Sequence, residues 1–186
     1  MRITGGTLKN HPLIAPKGTK TRPTSDKLRQ SLFNICQHYV EGAHFLDLFA
    51  GSGAVGIEAL SRGAASATFI EKERLAANAL RKNLQNLNLS SPSTLLIGDV
   101  LTLLKKLKGK TFDLIYVDPP YEKGLQEKTL LLIDTLDLLA PDGLLFLEES
   151  GAHPLSLPPL KSLTLQKERK VGSTLLYQLI KKEKSL

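Results

Sequence analysis

Asp118-Pro119-Pro120-Tyr121 follows the apolar run Leu114-Ile115-Tyr116-Val117, which places it where a buried strand meets a loop. An acid, two prolines and an aromatic at such a junction make a stiff polar clamp beside a flat hydrophobic face. Proline fixes φ and supplies no N–H, so the neighbouring carbonyls stay outward as acceptors without competing backbone donors. That arrangement suits a planar group carrying an NH2. A Pro-Pro pair alone would read as an ordinary turn after a strand. The flanking acid and aromatic single out all four residues as candidate catalytic groups.

A second motif, Gly51-Ser52-Gly53-Ala54-Val55-Gly56, has the G-x-G-x-x-G spacing between an expected strand and an expected helix. Its glycines let the backbone turn sharply and approach a ligand closely. Glu71 lies 20 residues beyond Gly51, at the end of the next strand, where it can accept from ribose hydroxyls. Asp99 follows Gly98 at the end of a third strand, in reach of an adenine amino group. The glycine turn does not by itself choose among adenosine cofactors, because nicotinamide dehydrogenases use the same turn and a similar acid. Asp47, just before the turn, suits a cation better than a pyrophosphate, and the clamp has no evident task in hydride transfer. S-adenosylmethionine, with a sulfonium and an ammonium, fits an acidic pocket electrostatically.

These residues need a scaffold that gathers strand ends, and the chain alternates strand and helix accordingly. Hydroxyls and an acid at Thr24-Ser25-Asp26 start a helix with Leu28, Leu32, Phe33 and Ile35 at helical spacing, ended by Gly42. Strands are expected over 44–49, 67–70, 93–97, 112–117 and 144–148, with helices over 55–61, 74–87, 101–107 and 125–139. Two further β segments, 163–167 and 175–180, flank Val171-Gly172 as a closing hairpin. The expected fold is α/β, Rossmann-like, with a mostly parallel seven-stranded sheet, helices on both faces and a C-terminal antiparallel hairpin. Ligands in such folds bind outside the carboxyl ends of the strands, where the polar residues of interest fall.

At 186 residues, 41% hydrophobic and 23% charged, the chain reads as one soluble globular domain spanning 1–186. No apolar stretch reaches membrane-spanning length, and Met1–Gly6 has no signal core. The single Cys36 suits a reducing cytoplasm and reads as a packing residue. The four histidines are scattered, so no metal is expected. Charge is uneven. Residues 1–31 carry seven Lys/Arg against one acid, residues 161–186 seven against two, and residues 32–160 eleven against fifteen. Clustered cations at both ends favour a polyanion partner, through counterion release from phosphates. Residues 1–23 read as a basic arm or hairpin, with Ile3, Leu13 and Ile14 as its anchors. At 5% aromatic residues, stacking on many exposed bases is not expected.

Leu46-Asp47-Leu48-Phe49-Ala50-Gly51-Ser52-Gly53, followed by the Asp118 tetrapeptide, resembles class I methyltransferases acting on exocyclic amines. The closer resemblance is to the RsmD family, which methylates guanine N2 in bacterial 16S ribosomal RNA. It extends through Arg2-Ile3, Gly5-Gly6, Thr21–Asp26, Leu32-Phe33-Asn34, Glu58–Ala64 and Lys170-Val171-Gly172. Where members of that family carry more arginine after the double glycine, this chain has Thr7–Pro12. The resemblance implies in-line methyl transfer to nitrogen, with Asp118 and the Pro119 carbonyl accepting from the NH2 and Tyr121 against an extruded base. It implies a cofactor site at Asp47, Gly51, Gly53, Glu71, Asp99 and the Val100 N–H. RNA phosphates would meet Arg22, Lys27 and Arg29. A monomer acting in the cytoplasm on ribosomal RNA or the small subunit is expected. The rival readings are an N6-adenine or N4-cytosine DNA methyltransferase, for which 186 residues leave little room, and a noncatalytic RNA-binding assembly factor.

Overall fold

A computed structural model describes residues 1–16, 25–120, 124–150 and 157–182. Tyr121 and Arg22 lie outside the described residues. Ser25 caps α1 (Asp26–Ile35), its side chain accepting from the Leu28 N–H at 3.2 Å. There follow β1 (His44–Leu48), α2 (Ala54–Ser61), β2 (Ser66–Glu71), α3 (Arg74–Asn86) and β3 (Ser93–Ile97). Then come α4 (Val100–Leu104) with a 3-10 turn, β4 (Phe112–Val117), α5 (Leu125–Thr135), β5 (Leu139–Ser150), β6 (Leu163–Val171) and β7 (Thr174–Lys181).

The seven strands lie in the order β3-β2-β1-β4-β5-β7-β6, parallel except for β7, which runs antiparallel to both β5 and β6. The strand order switches between β1 and β4, which pair in parallel with Asp47 opposite Tyr116. One face of the sheet packs α1, α2 and α3 through Leu28, Ile57, Phe69 and Leu80. The other packs α4 and α5 through Leu104, Ile133, Ile115 and Leu145. This is the expected architecture, including the C-terminal hairpin closed at Gly172, whose φ is 64°. No helix among the described residues is long and apolar enough to cross a membrane.

Several element ends differ from expectation: β5 begins at Leu139 rather than Leu144, β6 runs on to Val171 rather than Lys167, and two helices end early. The first helix closes at Cys36 rather than Gly42, and the chain then turns so that Val40 and Ala43 enter the core. The fifth helix stops at Thr135 rather than residue 139, because Asp137 takes a φ of 54° and Leu139 already pairs with Phe112. Pro141-Asp142-Gly143 therefore forms an irregularity within β5, between the Phe112–Leu139 and Leu114–Leu144 pairs. Cys36 is buried, its thiol donating to the Leu32 carbonyl, and burial pushes that thiol up to about 12. It is a packing group, not a nucleophile at neutral pH.

The N-terminal residues fold back as a hairpin, with the Ile3 N–H donating to His11 O and the Asn10 N–H to Ile3 O. Ile3 and Leu13 enter the core as expected, whereas the Ile14 side chain stays exposed. The turn of the hairpin sits on the end of α2. Thr7 N–H donates to Ser61 O, and the Ser61 hydroxyl donates to Gly5 O. A side chain at Gly6, whose φ is 78°, would collide with Ser61 O. Beneath it lies Glu58, fully buried. It accepts from the Thr4 N–H and hydroxyl, from Arg62 at 2.7 Å and from Arg29 Nε at 3.2 Å.

Arg29 corrects the sequence-based expectation of an RNA contact. It is fully buried, and its guanidinium donates to Glu58, Asp26 and the Arg2 carbonyl. Its charge is spent tying the hairpin to α1 and α2. Removing one partner of a buried ion pair costs about 3–5 kcal/mol; Glu58 would keep Arg62 and Thr4, but its Oε2 and the Arg2 carbonyl would lose the Arg29 donors. Arg29→Ala is therefore expected to destabilise the chain by about that amount in urea unfolding. A loss under 1 kcal/mol (roughly that of an exposed pair) would contradict this account.

Candidate active site

The carboxyl ends of β2, β1 and β4 bring the sequence-predicted acids Glu71, Asp47 and Asp118 to one edge, and β5 beside them adds Glu148. Register makes Phe69, Asp47, Tyr116 and Phe146 neighbours across the sheet. Side chains alternate faces along a strand, so Glu71, Asp118 and Glu148, each two residues further on, point to the side that holds α2. The sheet thus gathers four acids on the face where the glycine turn enters its helix.

Asp47 is 2% exposed and lies under that turn, its Oδ2 accepting from the Gly56 N–H at 2.9 Å. It anchors the first turn of α2, where unpaired amides favour a negative group. Glu71 grips the same loop from the next strand. Its Oε2 accepts from the Gly51 N–H at 2.7 Å and its Oε1 from the Glu73 N–H at 2.6 Å. Both oxygens are thus engaged with backbone, each with a further lone pair for a ribose hydroxyl. Gly53 turns left-handed at φ 81°, and a methyl group there would lie 2.1 Å from Leu80 Cδ1. The loop is pressed onto α3 at Gly53, while Gly51 faces open space, with nothing within 4 Å of where a side chain would begin.

Asp99 is exposed one strand further along, capping α4 through Thr102 N–H at 2.9 Å. Hydrogen bonds from Thr102 hold its carboxyl below the ordinary value, helped by the charge of Lys72. The Val100 side chain is buried, which leaves its backbone as the part able to meet a ligand. Asp118 is half-buried at the end of β4, Pro119 is buried and Pro120 exposed. Burial raises the Asp118 carboxyl well above its ordinary value, and the negative charges of Glu148, Asp47 and Glu149 add to the rise. Lys27 is exposed in the first turn of α1.

Glu148 and Glu149 went unassigned in the sequence. Tyr116 Oη donates to Glu148, while Glu149 accepts from Gln126 Nε2 at 2.7 Å on the opposite face. The available signal was two adjacent acids at the end of an otherwise apolar strand. An acidic pair at the carboxyl end of β5, beside β4, cannot be neutral toward Asp118.

The residues present fit S-adenosylmethionine. Crowded carboxylates facing an open glycine turn are an unfavourable arrangement until positive charge enters, and this cofactor carries two cationic centres. Gly51, Glu71 and Asp99 are placed to hold it, with Asp47 acting through the turn it anchors.

Asp47 also gives the structure a pH dependence. Burial, opposed by the Gly56 N–H and reinforced by Glu71, lifts its carboxyl from 3.8 to about 7. A folded-state value above the unfolded one means a stabilising contribution that is full at low pH and is lost as pH rises through about 7. Asp47→Asn keeps an acceptor for Gly56 and removes the ionisation. Relative to wild type, this variant should gain about 2–3 kcal/mol of stability between pH 5 and pH 8 in urea unfolding without cofactor. A pH-independent difference would show that Asp47 does not titrate in this range.

Comparisons with known proteins identify the family. The family model described as conserved hypothetical protein 95 matches residues 1–180. Ribosomal RNA small subunit methyltransferase D of Escherichia coli is 36% identical over 183 residues, covering 98% of this chain and 90% of that protein. Its namesake in Haemophilus influenzae is 37% identical over 182 residues, covering 96% and 93%. Among solved structures, the Escherichia coli protein yhhF, described as a proposed methyltransferase, superposes with a TM-score of 0.86 at 32% identity, covering 99% of each chain. A turn held by Asp47 and Glu71, a family model matched over residues 1–180 and similarity along nearly the whole length lead to one conclusion: the chain belongs to the RsmD family of ribosomal RNA small-subunit methyltransferases.

Proposed function

We propose that this protein transfers a methyl group from S-adenosylmethionine to the exocyclic N2 amine of a guanine in 16S ribosomal RNA. The observation that carries the reading is the position of Asp118, at the β4 end of the strand-order switch, on the same sheet face as Asp47 and Glu71. When bound, the cofactor supplies a methyl group on cationic sulfur, with a neutral thioether as leaving group.

The chain's own residues do the rest by positioning and electrostatics. An aryl amine is a poor nucleophile because its lone pair is delocalised into the ring. Asp118 and the Pro119 carbonyl accept the two N–H bonds, which draws the nitrogen toward tetrahedral geometry and aims its lone pair. Asp118 accepts most strongly when ionised, and burial beside other acids opposes ionisation. Positive charge in the cofactor site favours the carboxylate and so strengthens the acceptor. After transfer the alkylated amine is strongly acidic, and the high proton affinity of Asp118 gives its proton a nearby destination. Tyr121, next in sequence, is assigned to lie against a base withdrawn from its stack. Lys27, exposed on α1, is proposed to meet RNA phosphate.

The test is transfer of labelled methyl to small-subunit RNA, with the modified nucleoside identified by mass. N2-methylguanine is the expected product. Asp118→Ala should lower the rate about 10²–10³-fold or more while calorimetric binding of S-adenosylmethionine persists. Full activity in that variant would remove Asp118 from the mechanism. Transfer to duplex DNA instead would replace the substrate assignment.

A further inference from the structure

We infer that the exposed face of α3, with Lys72 beside its start and Arg74, Arg81 and Lys82 along it, is a phosphate track that guides substrate RNA to the cofactor end of the sheet. This deepens the ribosomal RNA reading above and rests on it. Over its 13 residues α3 carries three cations and no acid. Arg74, Asn78, Arg81, Lys82 and Gln85 are all exposed, and spacings of three, four and seven place them along one side of the helix. A helix face that is merely solvated usually mixes signs at these spacings. Here Arg81 donates to the neutral Asn78 side chain at 3.1 Å.

Charge along the chain isolates the same region. Residues 72–110 hold eight Lys/Arg against two acids, whereas the remainder of 32–160 holds three against thirteen. The central segment looked mildly acidic only because a basic block and a strongly acidic remainder cancel. The structure then joins this block to the basic N-terminus. Asn83, 2% exposed on the inner side of α3, accepts from the Ile14 N–H at 2.8 Å and donates to Ile14 O at 3.1 Å. It also donates to Ser52 O of the glycine turn at 3.0 Å. One amide side chain therefore pins the N-terminal segment and the cofactor loop to the helix that bears the cations. At the top of that helix, Lys72 lies close enough to Asp99 to lower its carboxyl, so the track reaches the rim of the cofactor site. Phosphate backbone is the partner that a row of Lys and Arg fits when the helix itself carries no acid and Glu73 at its cap is the one acid beside them.

The experiment compares the full chain with an Arg81→Glu, Lys82→Glu double variant, using transcribed 16S ribosomal RNA and isolated small subunits as probes. RNA affinity should fall about ten-fold or more, with the log–log salt slope smaller by about 1.4–1.8, as two lost phosphate contacts require. KM for RNA should rise, while kcat at saturating RNA, calorimetric affinity for S-adenosylmethionine and Tm stay at wild-type values. Lys167→Glu with Lys170→Glu, exposed on β6 at the far edge of the sheet, is the control and should lose much less. Unchanged RNA affinity in the α3 variant, or an equal loss in the β6 variant, overturns the inference. So does activity lost on subunits while naked RNA still binds, which would mark α3 as protein-facing. If the wild-type chain itself neither binds nor methylates 16S RNA, the functional reading fails with it. If wild type does both and the α3 variant matches it, only the track fails.

Discussion

The constraint on which the site depends is negative charge held where water is scarce. Asp47, Asp118 and Glu148 are buried or half-buried at the carboxyl ends of β1, β4 and β5 on one face of the sheet, with Glu149 buried on the other. Each raises the cost of ionising another, and the carboxyls of Asp47 and Asp118 both bind protons more tightly than a free carboxyl does. Such a cluster costs stability at neutral pH unless something compensates it. Part of the compensation is internal, through the Gly56 N–H on Asp47 and Gln126 on Glu149. Tyr116 donates to Glu148 as well, and the positive charge of S-adenosylmethionine adds to these when it binds. The fold thus stores an unfavourable arrangement at the place where the cofactor's charge relieves it.

A second economy concerns the residues outside the pocket. Much of what makes this sequence resemble its family does not touch a reaction. Arg2, Gly5-Gly6, Arg29 and Glu58–Arg62 form a network centred on the buried Arg29 and Glu58 that fastens the N-terminal hairpin to α1 and α2. Asn83 extends it to the glycine turn. The described N-terminal residues up to Ile14 are therefore tied to the same helix as the glycine turn. A fixed relation between the two is what positioning catalysis needs, because small misplacements of reacting groups cost large factors in rate.

Legibility in the sequence followed from how local each signal was. Strand–helix alternation, the glycine turn and the acids at strand ends are read within a few residues, and the sheet places them as expected. Arg29 could not be read that way. Its sequence neighbours suggest an exposed helix start, and only the partner 29 positions away, Glu58, shows why it is buried. Glu148 and Glu149 were hidden similarly, since their effect on Asp118 depends on β5 lying beside β4. The α3 cations were lost to averaging, being summed with the acids of the pocket. Helix ends failed where tertiary pairing overrides local pattern, as when Leu139 joins the sheet before the Pro141-Asp142-Gly143 signal arrives.

Those two charge populations, acids inside and cations outside, also bear on turnover. The acids lie on the face of β1, β4 and β5 toward α2, whereas the α3 cations point away from the sheet, separated from them by the helix and its apolar packing. Were the cations within reach of the acids they would pair, and the pocket would lose its preference for a charged donor. Kept apart, each set retains its own partner. Methyl transfer removes one positive charge from the cofactor site; the proton released from the amine neutralises Asp118, while Asp47 and Glu71 stay as they were. The pocket then holds its product less favourably than its substrate, by the same electrostatics that made it bind. A site with neutral side chains at Asp47 and Asp118 would be easier to fold, but it would lose that bias toward release.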